Sequence, residues 1–125
     1  MVQTEIAQLA TESAEWHQAL RNYRDELQQS RKELEKACQW QLSKDQLHEV
    51  EHLNNQFHIQ LINIHDLKQS IKNHERSIQS EQHQKENISE ELLARHEDLF
   101  DQYNNLENTL QELRSEFRQF ISSLH

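Results

Sequence analysis

Five residues near the middle of the chain have the spacing of a metal site. His48-Glu49-Val50-Glu51-His52 reads H-E-x-x-H, two imidazoles one helical turn apart with a carboxylate beside the first. On a helix, such a pair can ligate one divalent ion, and the glutamate can polarise a water bound to it. Asn55 and His58 extend the run to H-E-x-x-H-x-x-N-x-x-H, which adds a third imidazole.

The extended run resembles the long zinc signature of metzincin proteases, with Asn55 where that family has Gly. The resemblance implies a zinc held by His48, His52 and His58, with Glu49 activating water for peptide hydrolysis. The surrounding sequence argues against it. The family's Gly ends the helix so that the third His can swing back to the metal. Here an apolar seam continues through Phe57, Leu61 and Ile64, so the helix continues with it. In a continuous helix His58 lies about 9 Å beyond His52 along the axis and about 120° around it, out of reach of one ion. His48 and His52 also point away from the side that carries Val50, Leu53 and Phe57. No methionine follows the motif to make the family's Met-turn. The sequence therefore assigns no catalytic, cofactor or metal residue. A protein that binds metal through the surface histidines His48 and His52 remains as an alternative reading.

Other reactive side chains are isolated. His96 stands in an otherwise apolar seam. It is either a bundle histidine bonded to a neighbour, or a packing element that charges between pH 5 and 7 and loosens its layer. His17, His65, His74, His83 and His125 show no pattern. Lys68 and Glu75 occupy seam slots in the second helix. They either reach the rim with their stems buried or mark where the bundle splays or its register is specified, and the sequence does not choose between these. Cys38 is the one cysteine. It excludes an intramolecular disulfide and reads as an inert thiol, buried or half-buried. A phosphate-binding loop or a nucleophile elbow requires glycine, and the chain has none.

The elements that carry these residues follow from composition and period. The 125 residues contain no Gly and no Pro. Sheets and tight turns lean on both, whereas helix interiors exclude them. The fold class is all-α. Its clearest element is the last, residues 87–124. There Leu92, His96, Leu99, Tyr103, Leu106, Leu110, Leu113, Phe117, Phe120 and Leu124 alternate in steps of four and three, a seam along one side of a helix. Asn87 is its expected cap.

The first helix, residues 4–41, starts at a Thr4 cap. It carries the seam Ile6, Leu9, Ser13, Trp16, Leu20, Tyr23, Leu27, Ser30, Leu34 and Ala37. Near residues 42–45 the seam slips phase, and Ser43 with Gln46 has the form of a capping box. The second helix, residues 44–80, has one fully apolar row, Val50, Phe57, Ile64, Ile71 and Ile78. A diluted row, Leu47, Asn54, Leu61, Lys68 and Glu75, runs beside it, with Leu53 and Leu67 as partial replacements. Residues 79–87 carry no apolar side chain, yet the seven-residue phase runs on into the third helix. One continuous helix of about 80 residues, roughly 120 Å long, is thus an alternative.

Three helices of nearly equal length, about 37 residues each, favour an elongated antiparallel three-helix bundle of coiled-coil type, left-handed, in one domain over residues 1–125. Folding the segments back places Trp16, Ile71 and His96 in one layer. Tyr23, Ile64 and Tyr103 share a second, and Leu34, Phe57 and Leu110 a third. Trp40 is expected near the Phe120 end. Such a rod with a Trp at a seam slot of its first helix resembles a spectrin-type repeat. It is also similar to small bacterial coiled-coil proteins that share no assigned activity.

Charge and surface bound the function. The net charge is −9, and about −5 of it falls in residues 87–125. No face collects enough Lys and Arg to follow a phosphate backbone or an anionic bilayer, so neither nucleic acid nor membrane is an expected partner. Residues 1–20 carry Glu5, Glu12 and Glu15 and no apolar run, unlike a signal or transit peptide. A lone cysteine suits the cytoplasm. Ile59 and Ile62 fall on the outer face of the second helix, and Leu93 and Phe100 flank the third seam. Together they could receive a protein partner or a second copy. The reading is a non-enzymatic structural or protein-interaction module. Its alternative is a homodimeric spacer with the second and third helices fused.

Overall fold

The structure is a computed structural model. It describes the backbone of residues 2–84 and 88–124, and the side chains of residues 6–82 and 88–124. Among the described residues there are three helices and no strand: α1 (Val2–Ala37), α2 (Lys44–Gln84) and α3 (Glu90–Ser123). Glu12 meets His96 and Glu26 meets Arg114, so α1 and α3 rise together. His74 meets His96 and His52 meets Glu116, so α2 runs the opposite way. The chain is an all-α three-helix bundle in which every helix packs on the other two.

The helix ends depart from expectation in instructive ways. α1 begins at Val2, so Thr4 lies inside it rather than at its cap. It stops at Ala37, four residues early. Without glycine the chain has no left-handed residue with which to close the helix, and none of the described residues has positive φ. The end tightens instead into i→i+3 bonds: Gln39 N donates to the Lys36 carbonyl and Trp40 N to the Ala37 carbonyl, both at 3.1 Å. Cys38 and Trp40 therefore sit exposed in the connecting turn. The thiol is not buried as the sequence suggests.

The Ser43–Gln46 capping box forms as read. Ser43 N donates to Gln46 Oε1 at 2.7 Å, and Gln46 N donates to Ser43 Oγ at 3.2 Å. At the second break α2 continues to Gln84, and α3 starts at Glu90. The cap of α3 is Ser89, whose Oγ accepts from Leu92 N at 3.1 Å; the expected cap, Asn87, lies outside the described residues. Ser89 also donates its backbone N–H and its hydroxyl to the Glu81 carboxylate, at 3.0 and 2.9 Å. Helix α2 thus supplies an anchor for the start of α3. The two helices are separate elements packed side by side, not one 80-residue rod.

The seams of α1 and α3 are as expected: every described seam residue in them is buried or half-buried. The seam of α2 is rotated. Its second row is Leu53, Gln60, Leu67 and His74, all buried, and not Leu47, Asn54, Leu61, Lys68 and Glu75. Leu47 and Asn54 are exposed, while Lys68 and Glu75 are half-buried at the edge. The rows flank the same apolar ridge, so both have the right period. Desolvation decides between them: one row would bury two full charges, the other only an amide and a neutral imidazole.

Two apolar clusters result. Fifteen buried residues, from Trp16 to Leu34, Leu53 to Ile71 and Leu99 to Phe120, form the main core. Ile6, Leu9, Ile78 and Leu92 form a small one at the end that carries the α2–α3 turn. Between them in register lie Ser13, His74 and His96. Trp16 lies against His96, ring centroids 4.7 Å apart, as the layer assignment requires. Tyr23 and Tyr103 converge on one carboxylate, Glu107. Phe57 meets Phe117 edge-on at 5.3 Å, one heptad beyond the expected Leu110.

Candidate functional site

The polar layer between the two clusters is the most unusual feature of the bundle, and each helix contributes to it. Helix α1 brings Glu12, Ser13 and Trp16, α2 brings His74, and α3 brings His96. His74 is 2% and His96 6% exposed. His74 Nε2 lies 2.8 Å from His96 Nδ1, and His96 Nε2 lies 3.3 Å from Glu12 Oε2. A carboxylate accepts only, so His96 Nε2 carries a proton toward Glu12. If His96 is neutral, its Nδ1 is then an acceptor and His74 donates to it from Nε2. If His96 is charged, its Nδ1 donates and His74 Nε2 accepts. One glutamate thereby sets the tautomer of an imidazole two links away.

Burial, then the neighbouring His96 and Arg95, push the pKa of His74 down from 6.5 to about 4. His74 Nδ1 and Ser13 Oγ are buried and have no hydrogen-bond partner among the described residues. An open cleft of about 250 Å³ lies beside His74, lined in part by Ser77, Glu81, Ser89, Glu91 and Arg95. Sequence reading found His96 from its seam position but passed over His74. A signal existed: His74 stands seven residues after Leu67 and four before Ile78.

A second polar network spans α1 and α3. Glu107 Oε2 accepts from Tyr103 at 2.9 Å and from Tyr23 at 3.2 Å. Arg114 donates two hydrogen bonds to Glu26, at 2.7 and 2.6 Å, and its guanidinium lies 5.4 Å from the Tyr23 ring centroid. Burial first, and hydrogen bonding to Glu107 second, hold the Tyr103 phenol well above its usual range. Burial leads the rise at Tyr23 too. Lys68 is lowered by burial and by Arg24 and Arg21. Glu75 pairs with His17 at 3.0 Å.

The histidines of the H-E-x-x-H motif part company. Among the described residues, the one group of three or more metal-type donors is Glu49, His52 and Glu116, whose ligand atoms lie within 4.8 Å of one another. His52 Nε2 and Glu116 Oε1 are 3.2 Å apart. Glu116 comes from α3, which no reading of the motif alone could supply. His48 and His58 are exposed and belong to no such group.

On the outside, Ile59 is 45% and Ile62 48% exposed, and Leu93 and Phe100 are comparably bare. No helix among the described residues is long and apolar enough to cross a membrane. Compared with protein-family models, with curated proteins and with solved structures, the chain matches none.

Proposed function

We propose that this protein is a non-enzymatic structural or protein-interaction module that works by presenting the outer faces of a stiff bundle, in the manner of a spectrin-type repeat. The observation that carries the reading is the pair Ile59 and Ile62. Both are bare to solvent on a chain whose mean hydropathy is −1.08, where their burial against a partner gains apolar contact. An exposed lone thiol, Cys38, suits the reducing cytoplasm.

The test places a photo-crosslinking residue at position 59 of the full chain in cells, with position 69 on the same helix as control. The expected result is one defined adduct from position 59, lost when Ile62→Asp is added. Adducts that ignore Ile62→Asp, or that equal those from position 69, overturn the reading. A homodimer would appear as an adduct of twice the chain mass.

A second reading, metal binding, is favoured by the convergence of Glu49, His52 and Glu116. One imidazole and two carboxylates suit zinc or a comparable divalent ion. Titration with Zn²⁺ alone is expected to raise the melting temperature of the wild type and not of His52→Ala. Equal responses from the two proteins remove this reading.

A further inference from the structure

We propose that the Glu12–His96–His74 chain is a proton-operated latch. With at most one imidazole protonated, it ties the three helices together at the end that carries the α2–α3 turn; with both protonated, it releases that end while the central core stays packed.

The 2.8 Å contact between His74 Nε2 and His96 Nδ1 needs one nitrogen with a proton and one without. A first proton fits this geometry. It makes His96 an imidazolium held between the Glu12 carboxylate and the neutral His74 ring. A second proton turns two N–H groups head to head and places two positive charges in a buried layer. The charged neighbours do not relieve it. From α1, Glu12 already serves His96, and His17 is paired with Glu75 of α2. From α2, Glu81 is bound to Ser89. From α3, Glu91 and Arg95 line the cleft beside His74, and Arg95 adds repulsion.

The release is local because the two sides of the layer are unequal. On one side lies the fifteen-residue core. On the other, among the described residues, only Ile6, Leu9, Ile78 and Leu92 are buried, with Ala10 and Ile88 against them. Four aliphatic side chains across three helix ends hold together while the layer beneath them is bonded. Without it they are a thin cap, the low-stability end of the molecule.

Amide hydrogen exchange by mass spectrometry at pH 7, 5.5 and 4, corrected for intrinsic rates, tests this on the full chain. The expected result is that segments 6–13, 74–82 and 88–96 lose at least tenfold protection between pH 5.5 and 4 relative to 20–34, 53–67 and 103–117. The double variant His74→Leu/His96→Leu keeps its end protected. Uniform loss along the chain, or the same local profile in the double variant, overturns the latch. Should that variant not fold, imidazole ¹⁵N resonances of the wild type decide. One ring charging while the end segment stays protected, and the second only as that segment opens, supports the proposal. Both rings charging with the end intact sinks it.

Discussion

Glu107 is the residue on which two helices agree. It accepts from the Tyr103 hydroxyl on its own helix and from Tyr23 across the α1–α3 interface. Glu107→Ala leaves two part-buried phenols without that acceptor and should lower unfolding stability by about 1–3 kcal/mol in urea titration, with Glu107→Gln losing less. The neighbouring Arg114–Glu26 pair is bidentate but about a third exposed, so Arg114→Lys should lower stability by no more than about 1 kcal/mol, an effect that shrinks with salt. His74 sets a pH dependence whose sign is fixed. Its folded pKa is about 4 against 6.5 for the free group. Above pH 6.5 the ring is neutral in both states and has no effect. As pH falls from 6.5 to 4 the unfolded chain takes up a proton that the folded chain refuses, so stability falls. The full loss below pH 4 is about 3 kcal/mol. Denaturant unfolding at pH 7, 5.5 and 4.5 should show this slope, and His74→Leu/His96→Leu should flatten it.

At the scale of elements, the turns carry the specificity. With no glycine to reverse the chain, both reversals depend on side chains that satisfy free backbone amides. Ser43 does so reciprocally with Gln46, and Ser89 does so while Glu81 holds it. Ser43→Ala should lower stability by about 1 kcal/mol, the ordinary effect of a lost cap. Ser89→Ala should lose more, because it also leaves the Glu81 carboxylate without its hydroxyl partner at a part-buried site. Thermal melts of the two variants side by side give the comparison. These caps also explain why the seven-residue phase of α2 can run into α3 without making one helix. Phase is a property of side-chain spacing, whereas the start of α3 is fixed by its Ser89 cap and by Glu81 reaching eight residues ahead.

At the scale of the molecule, the longest helix has 41 residues, or about 62 Å. Small-angle scattering should therefore return a mass near 15.1 kDa with a maximum dimension of roughly 60–70 Å. A doubled mass, or a dimension above roughly 110 Å, would contradict a monomeric bundle of this size. Phe57 is fully buried against Phe117, and Phe57→Ala should destabilise the bundle by about 3–5 kcal/mol in equilibrium unfolding. The two unequal clusters make the molecule asymmetric along its axis, and hydrogen exchange should find its least protected amides at the Ile6–Leu92 end even at neutral pH.

What the sequence determined by itself is what local periodicity and local hydrogen bonding can encode. The absence of Gly and Pro, the three-and-four spacing of α1 and α3, and the Ser43–Gln46 box are all readable within one or two helical turns. From them follow the helical class, the first break and the buried faces of α1 and α3; the second break stayed open because the seven-residue phase runs on through it. Only the tertiary structure decided which flank of the α2 ridge turns inward. Two rows of equal period compete there, and the choice rests on the desolvation of Lys68 and Glu75 against that of Gln60 and His74. The same holds for both donor clusters. Glu116 joins His52 across 64 residues, and Glu12 joins His96 across 84. Such pairings depend on the relative register of packed helices, to which no spacing within one helix is sensitive.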